Sequence, residues 1–308
     1  MTRTNPTSVD GAVIVICGAS SGFGRGAALA LAAEGARVVL FARRAEALAA
    51  LAAEIGDAAL AVPGDIANPD DVTALVAATL ERFGRIDVWI NNVGVGALGL
   101  FWEIPVADQA RVIDVNLKGL VQGAHAAIRR FVAQGHGVLV NVGSIDSEVP
   151  IAYQTTYAAT KAAVLSISRS LAEELRLAGL GDAIKVGTIM PWAVDTPWWT
   201  HAANYTGHAP RMAAMDDPAL VVEALVRACT DPREEMPVGI KARGAEISHR
   251  LFPDLTERMS SNIAHREVEK ATPLPPHSGA IYRPDPATAT VDGGIRARMK
   301  AEDAGGKA

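Results

Sequence analysis

Three side chains near the middle of the chain have types and spacing suited to proton exchange with a small substrate. Tyr157 and Lys161 stand four residues apart in the segment YAATK, and Ser144 lies upstream in NVGSIDS. On an α-helix, positions four apart share one face and lie about 6 Å from each other, so both side chains can contact one ligand. Each residue also has a purely structural interpretation: a strand-end cap, a core aromatic side chain and a solvated lysine.

A glycine-rich turn comes directly after the first apolar segment. Gly18, Gly22 and Gly24 in GASSGFG separate a β-branched run from an Ala/Leu-rich stretch. Such glycines permit a tight turn and let a diphosphate approach the N-terminus of a helix, where free N–H groups favour an anion. Glycines also end strands for structural reasons, but the strand before and the helix after this turn favour a dinucleotide site.

Two arginines stand where the second strand ends. Folds that prefer NAD commonly carry an acid at this place, whereas this chain has Ala42 followed by Arg43 and Arg44. A guanidinium suits a 2′-phosphate, so the sequence favours NADP(H) over NAD(H). The alternative is two solvated arginines at the start of a helix. Asp65, after the third strand, is expected to meet the adenine edge.

Short apolar, β-branched segments alternate with stretches long enough for crossover helices. These segments are residues 12–17, 37–42, 59–64, 86–91, 137–143 and 184–190. Continuous apolar runs are typical of strands buried on both faces of a parallel sheet. We therefore predict an α/β, Rossmann-type doubly wound sheet of about seven strands, with helices on both faces and the ligand crevice at the carboxyl ends of the strands.

Composition narrows the classes of partner. The 308 residues are 49% hydrophobic and 20% charged, which supports a large core and excludes disorder of the whole chain. A net charge of −5 without a sustained basic run argues against a nucleic-acid or membrane partner, and favours a small-molecule substrate. The histidines lack metal-ligand spacing, so no metal site is predicted.

Cellular location is predicted from cysteines and from the lack of apolar spans. Cys17 and Cys229 are far apart and form no C-x-x-C motif, which fits a reducing compartment. The first residues, MTRTNPTSVDG, lack the apolar core of a secretory signal, and no uncharged apolar stretch reaches the roughly 18–20 residues of a membrane span. We predict a cytoplasmic protein.

Together, these motifs resemble those of the short-chain dehydrogenase/reductase family over roughly residues 10–240. The resemblance is carried by GASSGFG, NNVG (91–94), Asn116 in DVNLKG, Ser144 in NVGSIDS, YAATK and the proline turn MPWAVDTP. It implies hydride transfer between nicotinamide and a secondary alcohol or carbonyl substrate, with a homodimer or homotetramer as the assembly.

The resemblance also implies roles for four catalytic residues. Tyr157 would exchange the proton at the substrate oxygen, and Lys161 with the oxidised nicotinamide would lower the tyrosine pKa from about 10. Lys161 would also hold the ribose hydroxyls, and Ser144 would orient the substrate. Asn116, expected inside a long helix, would hold a water that links Lys161 to solvent, although it could be an ordinary polar residue of that helix.

The cofactor-binding set implied by the resemblance follows the carboxyl ends of the strands. It comprises Gly18, Ser20, Ser21, Gly22, Phe23, Gly24, Arg43, Arg44, Asp65, Ile66, Asn92, Val93, Gly94, Tyr157, Lys161, Pro191, Trp192, Val194 and Thr196.

Trp192 departs from the family pattern, which usually has glycine after the proline. Its ring could narrow the pocket, stack against another ring or reflect an altered turn. With Trp198 and Trp199 nearby, it favours a hydrophobic or ring-containing substrate. Gly143 replaces a serine often seen in the family, and little consequence is expected.

The C-terminal quarter is predicted to be an extension. We expect a catalytic domain over residues 1–242, ending near a last strand at 235–239 after a helix at 219–229; residues 289–294, with V-D-G-G, are the competing strand. Residues 243–308 should be helical, then Pro-rich, with a flexible tail after about residue 296. The extension could cover the active-site mouth, join a subunit interface or do neither.

The sequence therefore predicts an NADP-dependent oxidoreductase. Two alternatives stay open: a regulator that binds NADP and senses redox state without turnover, and a lyase-like relative that has lost the nucleotide. The glycine turn and Arg43 argue against the second, and fold alone does not prove chemistry.

Overall fold

Seven parallel strands form the centre of the protein, as seen in a computed structural model that describes residues 7–285 and 289–305. The strand order is β3-β2-β1-β4-β6-β7-β9. The strands are β1 (Val13–Cys17), β2 (Arg37–Ala42), β3 (Ala59–Pro63), β4 (Val88–Asn91), β6 (Gly137–Val142), β7 (Ile184–Pro191) and β9 (Glu235–Val238). A separate parallel pair joins β5 (Ala97–Leu98) to β8 (Ala203–Asn204).

Helices cover both faces of the sheet. They are α1 (Gly22–Ala33), α2 (Ala45–Ile55), α3 (Pro69–Phe83), α4 (Val106–Ile113), α5 (Gly119–Gln134), α6 (Thr155–Leu177), α7 (Trp198–His201), α8 (Pro218–Ala228), α9 (Gly239–Leu251), α10 (Pro253–Lys270) and α11 (Ile295–Gly305). Helices α1, α2 and α8 pack on one face, while α3, α5 and α6 pack on the other. Because both faces are covered, strands such as β1 are buried along their whole length. The predicted Rossmann-type fold is confirmed.

The last strand of the sheet is β9, as predicted for residues 235–239. It pairs with β7 in parallel, from Thr188 opposite Glu235 to Pro191 opposite Val238. Residues 289–294, the competing candidate, form no strand.

Asn116 does not lie in an ordinary α-helix as the sequence suggested. A π-helical turn over Asp114–Lys118 joins α4 to α5. The extra residue in this turn changes the direction of the side chains, and the Asn116 amide is buried against the loop after β4.

The C-terminal region differs from its prediction in detail. The predicted boundary at residue 242 falls inside α9, and a break at Phe252 separates α9 from α10 because the residue before Pro253 is pushed out of the helical region. A flexible tail was expected after about residue 296, but residues 295–305 form α11; residues 306–308 lie outside the described part. Buried Arg211 holds this helix through Glu302, 2.9 Å away, and Glu267 of α10, 2.8 Å away.

Within residues 7–285 and 289–305, no helix combines the length and apolar character needed to cross a bilayer. The same residues contain no group of three or more His, Cys, Asp or Glu side chains arranged to hold a metal ion.

Candidate active site

The glycine turn between β1 and α1 brings the backbone of the helix N-terminus to the edge of the sheet. Gly18 has φ +88° and Gly22 has φ +54°, both in the left-handed region that favours glycine. A Cβ at position 24 would overlap the carbonyl oxygen of Gly18, so helix and turn can approach closely only with glycine there. Gly24 therefore serves packing, and it does not line the cavity described next.

A cavity follows this turn along the carboxyl ends of β1, β2, β4, β6 and β7. With the exceptions of Gly24 and Asn116, it is lined by every residue that the sequence analysis assigned to cofactor binding or catalysis: Gly18, Ser20, Ser21, Gly22, Phe23, Arg43, Arg44, Asp65, Ile66, Asn92, Val93, Gly94, Ser144, Tyr157, Lys161, Pro191, Trp192, Val194 and Thr196. Residues from seven different parts of the chain thus meet in one crevice.

Ser144, Tyr157 and Lys161 come together at one end of the cavity, which we call the catalytic end. Ser144 lies two residues after the end of β6 and caps a short 3-10 turn, because its Oγ accepts a hydrogen bond from the amide of Asp146 at 3.1 Å. Tyr157 and Lys161 project from the same face of α6, with the lysine Nζ 5.6 Å from the centre of the tyrosine ring. Lys161 Nζ donates a 2.7 Å hydrogen bond to the carbonyl oxygen of Val142.

The pKa values at the catalytic end differ from the expectation. Burial raises the pKa of Tyr157, the negative charge of Asp146 raises it further, and the hydrogen bond with Ser144 lowers it only in part. Lys161 was expected to lower this pKa, yet its own pKa is lowered to about 8 by burial, with Asp146 opposing the shift. The protein therefore keeps Tyr157 in its protonated form near neutral pH.

Asn116 lies behind the catalytic end and holds the loop that follows β4. Its Oδ1 accepts from the Val95 amide at 2.8 Å, and its Nδ2 donates to the Val95 carbonyl at 2.9 Å and to Thr160 Oγ1 at 3.2 Å. These bonds fix the backbone next to Gly94 and the turn of α6 that carries Lys161.

Aromatic side chains form part of the cavity wall near Tyr157. The Trp198 ring lies 5.0 Å from the Tyr157 ring between centroids, and it meets Trp199 edge-on at 5.1 Å. Gly96 leaves room for Trp198, since a Cβ there would collide with the indole. Trp192 also lines the cavity, and its Nε1 donates to the carbonyl oxygen of Ala213 at 3.4 Å.

Gly143 lies in a crowded place just before Ser144. A Cβ at this position would be 3.1 Å from both Ser147 Oγ and Thr188 Cγ2. Glycine therefore relieves a contact that a larger residue would make with the turn.

The other end of the cavity, which we call the adenosine end, has its arginines engaged by the C-terminal extension. Arg43 donates to the carbonyl oxygens of Ala280 at 2.7 Å, Ile281 at 2.9 Å and Tyr282 at 3.0 Å. Arg44 donates to the Asp285 carbonyl at 3.1 Å. The arginines are where the sequence predicted them, but part of their hydrogen-bonding capacity is used by the chain itself.

The Asp65 carboxylate also has hydrogen-bond partners within the protein. Its Oδ2 accepts from Arg111 Nη2 at 2.5 Å, and its Oδ1 accepts from the Ala67 amide at 3.0 Å. Arg111 in turn donates to the Ile281 carbonyl at 3.0 Å. The carboxylate therefore connects the third strand to the extension through one arginine.

The extension crosses the opening of the crevice. We call residues 280–285 and 289–295 the crossing segment. The amide of Gly22, in the glycine turn, donates to the Thr290 carbonyl at 2.8 Å, and buried Asp195 accepts from the Ile295 amide at 2.8 Å. The cavity that remains has a volume of about 230 Å³, less than the roughly 300 Å³ at which ligand pockets begin. Of the three roles left open for the extension, the structure supports the cover over the crevice.

Asp146 was not singled out by the sequence analysis. It lines the catalytic end, and only 5% of its surface is exposed. Burial raises its pKa to about 7, while Lys161 opposes the shift. The signal in the sequence was an acid two residues after Ser144, in a turn whose other neighbours are small or apolar.

Known proteins share both the sequence and the fold. The family model of the short chain dehydrogenases matches residues 12–205. Uncharacterized oxidoreductase YxnA of Bacillus subtilis (strain 168) is 34% identical over 277 residues, which is 88% of this chain and 77% of that protein. Uncharacterized oxidoreductase SH0585 of Staphylococcus haemolyticus is 35% identical over 227 residues, covering 73% of this chain and 94% of its own. The share aligned with YxnA exceeds residues 1–242, so that similarity reaches into the extension.

Solved structures agree with this assignment. The 3-ketoacyl-(acyl-carrier-protein) reductase from Brucella melitensis, complexed with NADH, is 30% identical with a TM-score of 0.67, covering 76% of this chain and 100% of its own. A short-chain dehydrogenase from Burkholderia cenocepacia in complex with NADP has a TM-score of 0.69 at 23% identity, covering 82% and 98%, and supports the fold alone. The chain therefore belongs to the short-chain dehydrogenase/reductase family and is an oxidoreductase with an NAD(P)-binding Rossmann fold.

Proposed function

We propose that this protein uses NADP(H) to interconvert a secondary alcohol and its carbonyl compound, with Tyr157 as the general acid/base. The observation that carries the proposal is the meeting of Ser144, Tyr157 and Lys161 at one end of a cavity whose other end holds Arg43 and Arg44. The aromatic wall of Trp192, Trp198 and Trp199 favours a substrate with an apolar or ring-shaped part.

The residues at the catalytic end have separate tasks in carbonyl reduction. The bound nicotinamide supplies the hydride. Tyr157 donates its phenolic proton to the carbonyl oxygen, and Ser144 holds that oxygen by a hydrogen bond. The ammonium of Lys161 stabilises the phenolate that remains, because it is buried beside the ring. Since burial keeps Tyr157 protonated, its hydroxyl suits proton donation, and hence reduction, at neutral pH.

The residues around the crevice fit a nicotinamide dinucleotide. The glycine turn would admit a diphosphate to the N-terminus of α1, and Lys161, at the catalytic end, would hold ribose hydroxyls. Arg43 and Arg44 would hold the 2′-phosphate of NADP, for which the crossing segment must release some of their hydrogen bonds.

Cofactor preference is tested by titrating the purified protein with NADPH and, separately, with NADH, following nicotinamide fluorescence. We expect NADPH to bind at least about tenfold more tightly, a difference of about 1.4 kcal/mol, and Arg43→Ala to remove that difference. Arg176→Ala is the control, because this exposed arginine pairs with Glu173 on the surface of α6 and does not line the cavity. Tighter binding of NADH would contradict the proposed preference.

A redox-sensing regulator without turnover is the second candidate. The crossing segment supports this candidate. A nucleotide that replaced the Ala280 and Ile281 carbonyls as the hydrogen-bond partner of Arg43 would displace this segment. A panel of aryl and alkyl ketones with NADPH separates the two functions: nucleotide binding without consumption of NADPH on any ketone favours the regulator.

Assembly and location are proposed with the same activity. Helices α4 and α5 expose apolar side chains at Val106, Ile113 and Val121, a surface suited to a homodimer or homotetramer. Light scattering after gel filtration tests this, and a monomeric mass contradicts it. Free, buried Cys17 and Cys229 fit a cytoplasmic location, which cell fractionation tests.

A further inference from the structure

The catalytic end contains one charged side chain that the proposed reaction does not use. Asp146 lies on the 3-10 turn after Ser144, and its amide donates to Ser144 Oγ at 3.1 Å. The residue lines the cavity with 5% of its surface exposed. Both residues line the same cavity, and the charge of the Asp146 carboxylate acts on Tyr157 and Lys161, so the carboxylate lies near the groups that would hold the reacting oxygen.

The Asp146 carboxylate is unsatisfied within the protein. Across residues 7–285 and 289–305, no side chain or backbone group donates a hydrogen bond to it, and it forms no ion pair within 4 Å. Lys161, the neighbouring cation, directs its short hydrogen bond to the Val142 carbonyl instead. Burying a carboxylate without a donor is costly, so such a group in a cavity is suited to a ligand that brings the donor.

We propose that Asp146 is a substrate-binding residue that accepts a hydrogen bond from a second hydroxyl group, on the carbon next to the reacting carbonyl or alcohol carbon. This inference rests on the proposed function and names its substrate class: α-hydroxy ketones and the vicinal diols formed from them. Ser144 and Asp146 then hold two oxygen atoms on neighbouring carbons of one substrate.

The surroundings of Asp146 favour a hydroxyl over an ammonium group as its partner. Lys161 already places one positive charge beside the carboxylate, and a second cation would be repelled by it. A neutral hydroxyl donates to the carboxylate without that repulsion. The rings of Trp192 and Trp198, which line the same cavity, add an apolar surface, so the rest of the substrate is a ring or an alkyl chain.

A matched pair of ketones tests the inference. 2-Hydroxyacetophenone carries the second hydroxyl, and propiophenone replaces that hydroxyl with a methyl group of similar size. Turnover is measured with NADPH, and binding is measured by calorimetry in the presence of NADP⁺, which cannot reduce either ketone. We expect the wild-type protein to favour the hydroxy ketone at least about tenfold, both in kcat/KM and in Kd, because a site built around a hydroxyl rejects an analogue that lacks it.

Variants of Asp146 assign the preference to this side chain. Asp146→Leu should bring the ratio of the two ketones close to one, and Asp146→Asn, whose amide oxygen still accepts, should give an intermediate ratio. Glu148→Gln is the matched control: it removes a carboxylate from the same loop, but one that pairs with Arg169 at 2.8 Å and does not line the cavity. The control should keep the wild-type ratio. If Asp146→Leu fails to fold, the ratio measured for Asp146→Asn is compared with the wild-type ratio, and an unchanged ratio overturns the role of Asp146.

The two readouts separate this inference from the proposed function. Selective binding of the hydroxy ketone without any turnover supports the role of Asp146 and contradicts the oxidoreductase mechanism. Turnover of both ketones with equal kcat/KM and equal Kd supports the mechanism and overturns the role of Asp146. Failure of both ketones to bind, or a ratio that Asp146→Leu leaves unchanged, also overturns it.

Discussion

The catalytic end and the adenosine end of the crevice are held in place by different parts of the chain. At the catalytic end, Ser144 comes from the turn after β6, and Tyr157 and Lys161 come from α6, the next α-helix along the chain. At the adenosine end, Arg43 contacts the carbonyl oxygens of Ala280 and Ile281, more than two hundred residues away. The first end is assembled within one stretch of sequence, whereas a distant segment uses part of the hydrogen-bonding capacity of the arginines at the second.

This difference shows what a local motif can and cannot specify. The spacing of Tyr157 and Lys161 fixes their common face on α6 whatever the rest of the chain does. The presence of Arg43 after β2 fixes only the position of a guanidinium. Its partners depend on where the C-terminal extension lies, and that depends on long-range contacts such as the one between Asp195 and Ile295.

The largest effect is expected from removing the phenolic hydroxyl at the catalytic end. Tyr157→Phe should lower kcat by roughly 10²–10⁴-fold, because the phenolic hydroxyl supplies the proton in the proposed reaction, while NADPH binding stays within a few-fold of wild type. Tyr153→Phe is the control, since its hydroxyl pairs with His265 outside the cavity. Steady-state ketone reduction and NADPH titration measure both quantities, and a kcat within a few-fold of wild type would show that Tyr157 is not the acid.

Much of the fold and of the catalytic end could be predicted from sequence, because both rest on local patterns. Apolar runs identified the strands, and short motifs identified Ser144, Tyr157 and Lys161. The π turn at Asn116 could not be predicted, since one extra residue in a helix leaves no periodic signal. Helix α11 was missed because its polar sequence is held by buried Arg211, a contact between distant segments.

For the tyrosine pKa, the sequence analysis weighed Lys161 and the oxidised nicotinamide but not burial by the protein itself. Lys161 is close to Tyr157, as the spacing required, but this proximity does not set the direction of the Tyr157 pKa shift. Burial and the negative charge of Asp146 raise the pKa instead. The sequence contains no measure of burial at single positions, and Asp146 belonged to no motif.

A second prediction tests whether the crossing segment competes with the nucleotide for Arg43. Gly279 has φ +55°, and a Cβ there would overlap the carbonyl oxygens of His201 and Ala202. Gly279→Ala should displace Ala280 and loosen its contact with Arg43. We expect NADPH to bind about three- to tenfold more tightly to this variant, with little change for NADH, because less of the binding energy is used to move the segment.

The control for this prediction is Gly244→Ala, on α9, where an added Cβ meets no atom within 4 Å. Fluorescence titrations of both variants with both nucleotides provide the measurement. Weaker binding of NADPH to Gly279→Ala would mean that the segment is part of the nucleotide site and does not compete with it, which would remove the contrast between the two ends.

A third prediction concerns pH at the catalytic end. Because the pKa of Tyr157 is raised, its proton is retained between about pH 6 and 9, so ketone reduction should fall only where the Lys161 ammonium, with a pKa of about 8, loses its proton; alcohol oxidation should rise with pH between about 6 and 8. Asp146→Asn removes the negative charge that raises this pKa, so the oxidation profile should move roughly one unit toward lower pH. 1-Phenyl-1-propanol is the suitable substrate because it has no second hydroxyl. An unmoved profile would mean that Asp146 is not charged in the active enzyme.

The smallest effect is expected in stability, and it reflects how each end treats its charged groups. Arg43 donates hydrogen bonds to backbone carbonyls, whereas the Asp146 carboxylate accepts no hydrogen bond within the described residues. The pKa of Asp146 is raised to about 7. A raised carboxyl pKa means that the folded state holds the proton more tightly, so stability is lost as pH rises from about 4 to about 7. The variant Asp146→Asn avoids this loss.

The melting temperature of Asp146→Asn should exceed that of wild type above pH 7 by roughly 2–4 °C for each kcal/mol regained, with the gain disappearing near pH 4. Glu148→Gln, which breaks an ion pair with Arg169, should show no such gain. Equal melting temperatures of Asp146→Asn and wild type at high pH would mean that the carboxylate is compensated without substrate, and the two ends would then differ only in the origin of their contacts.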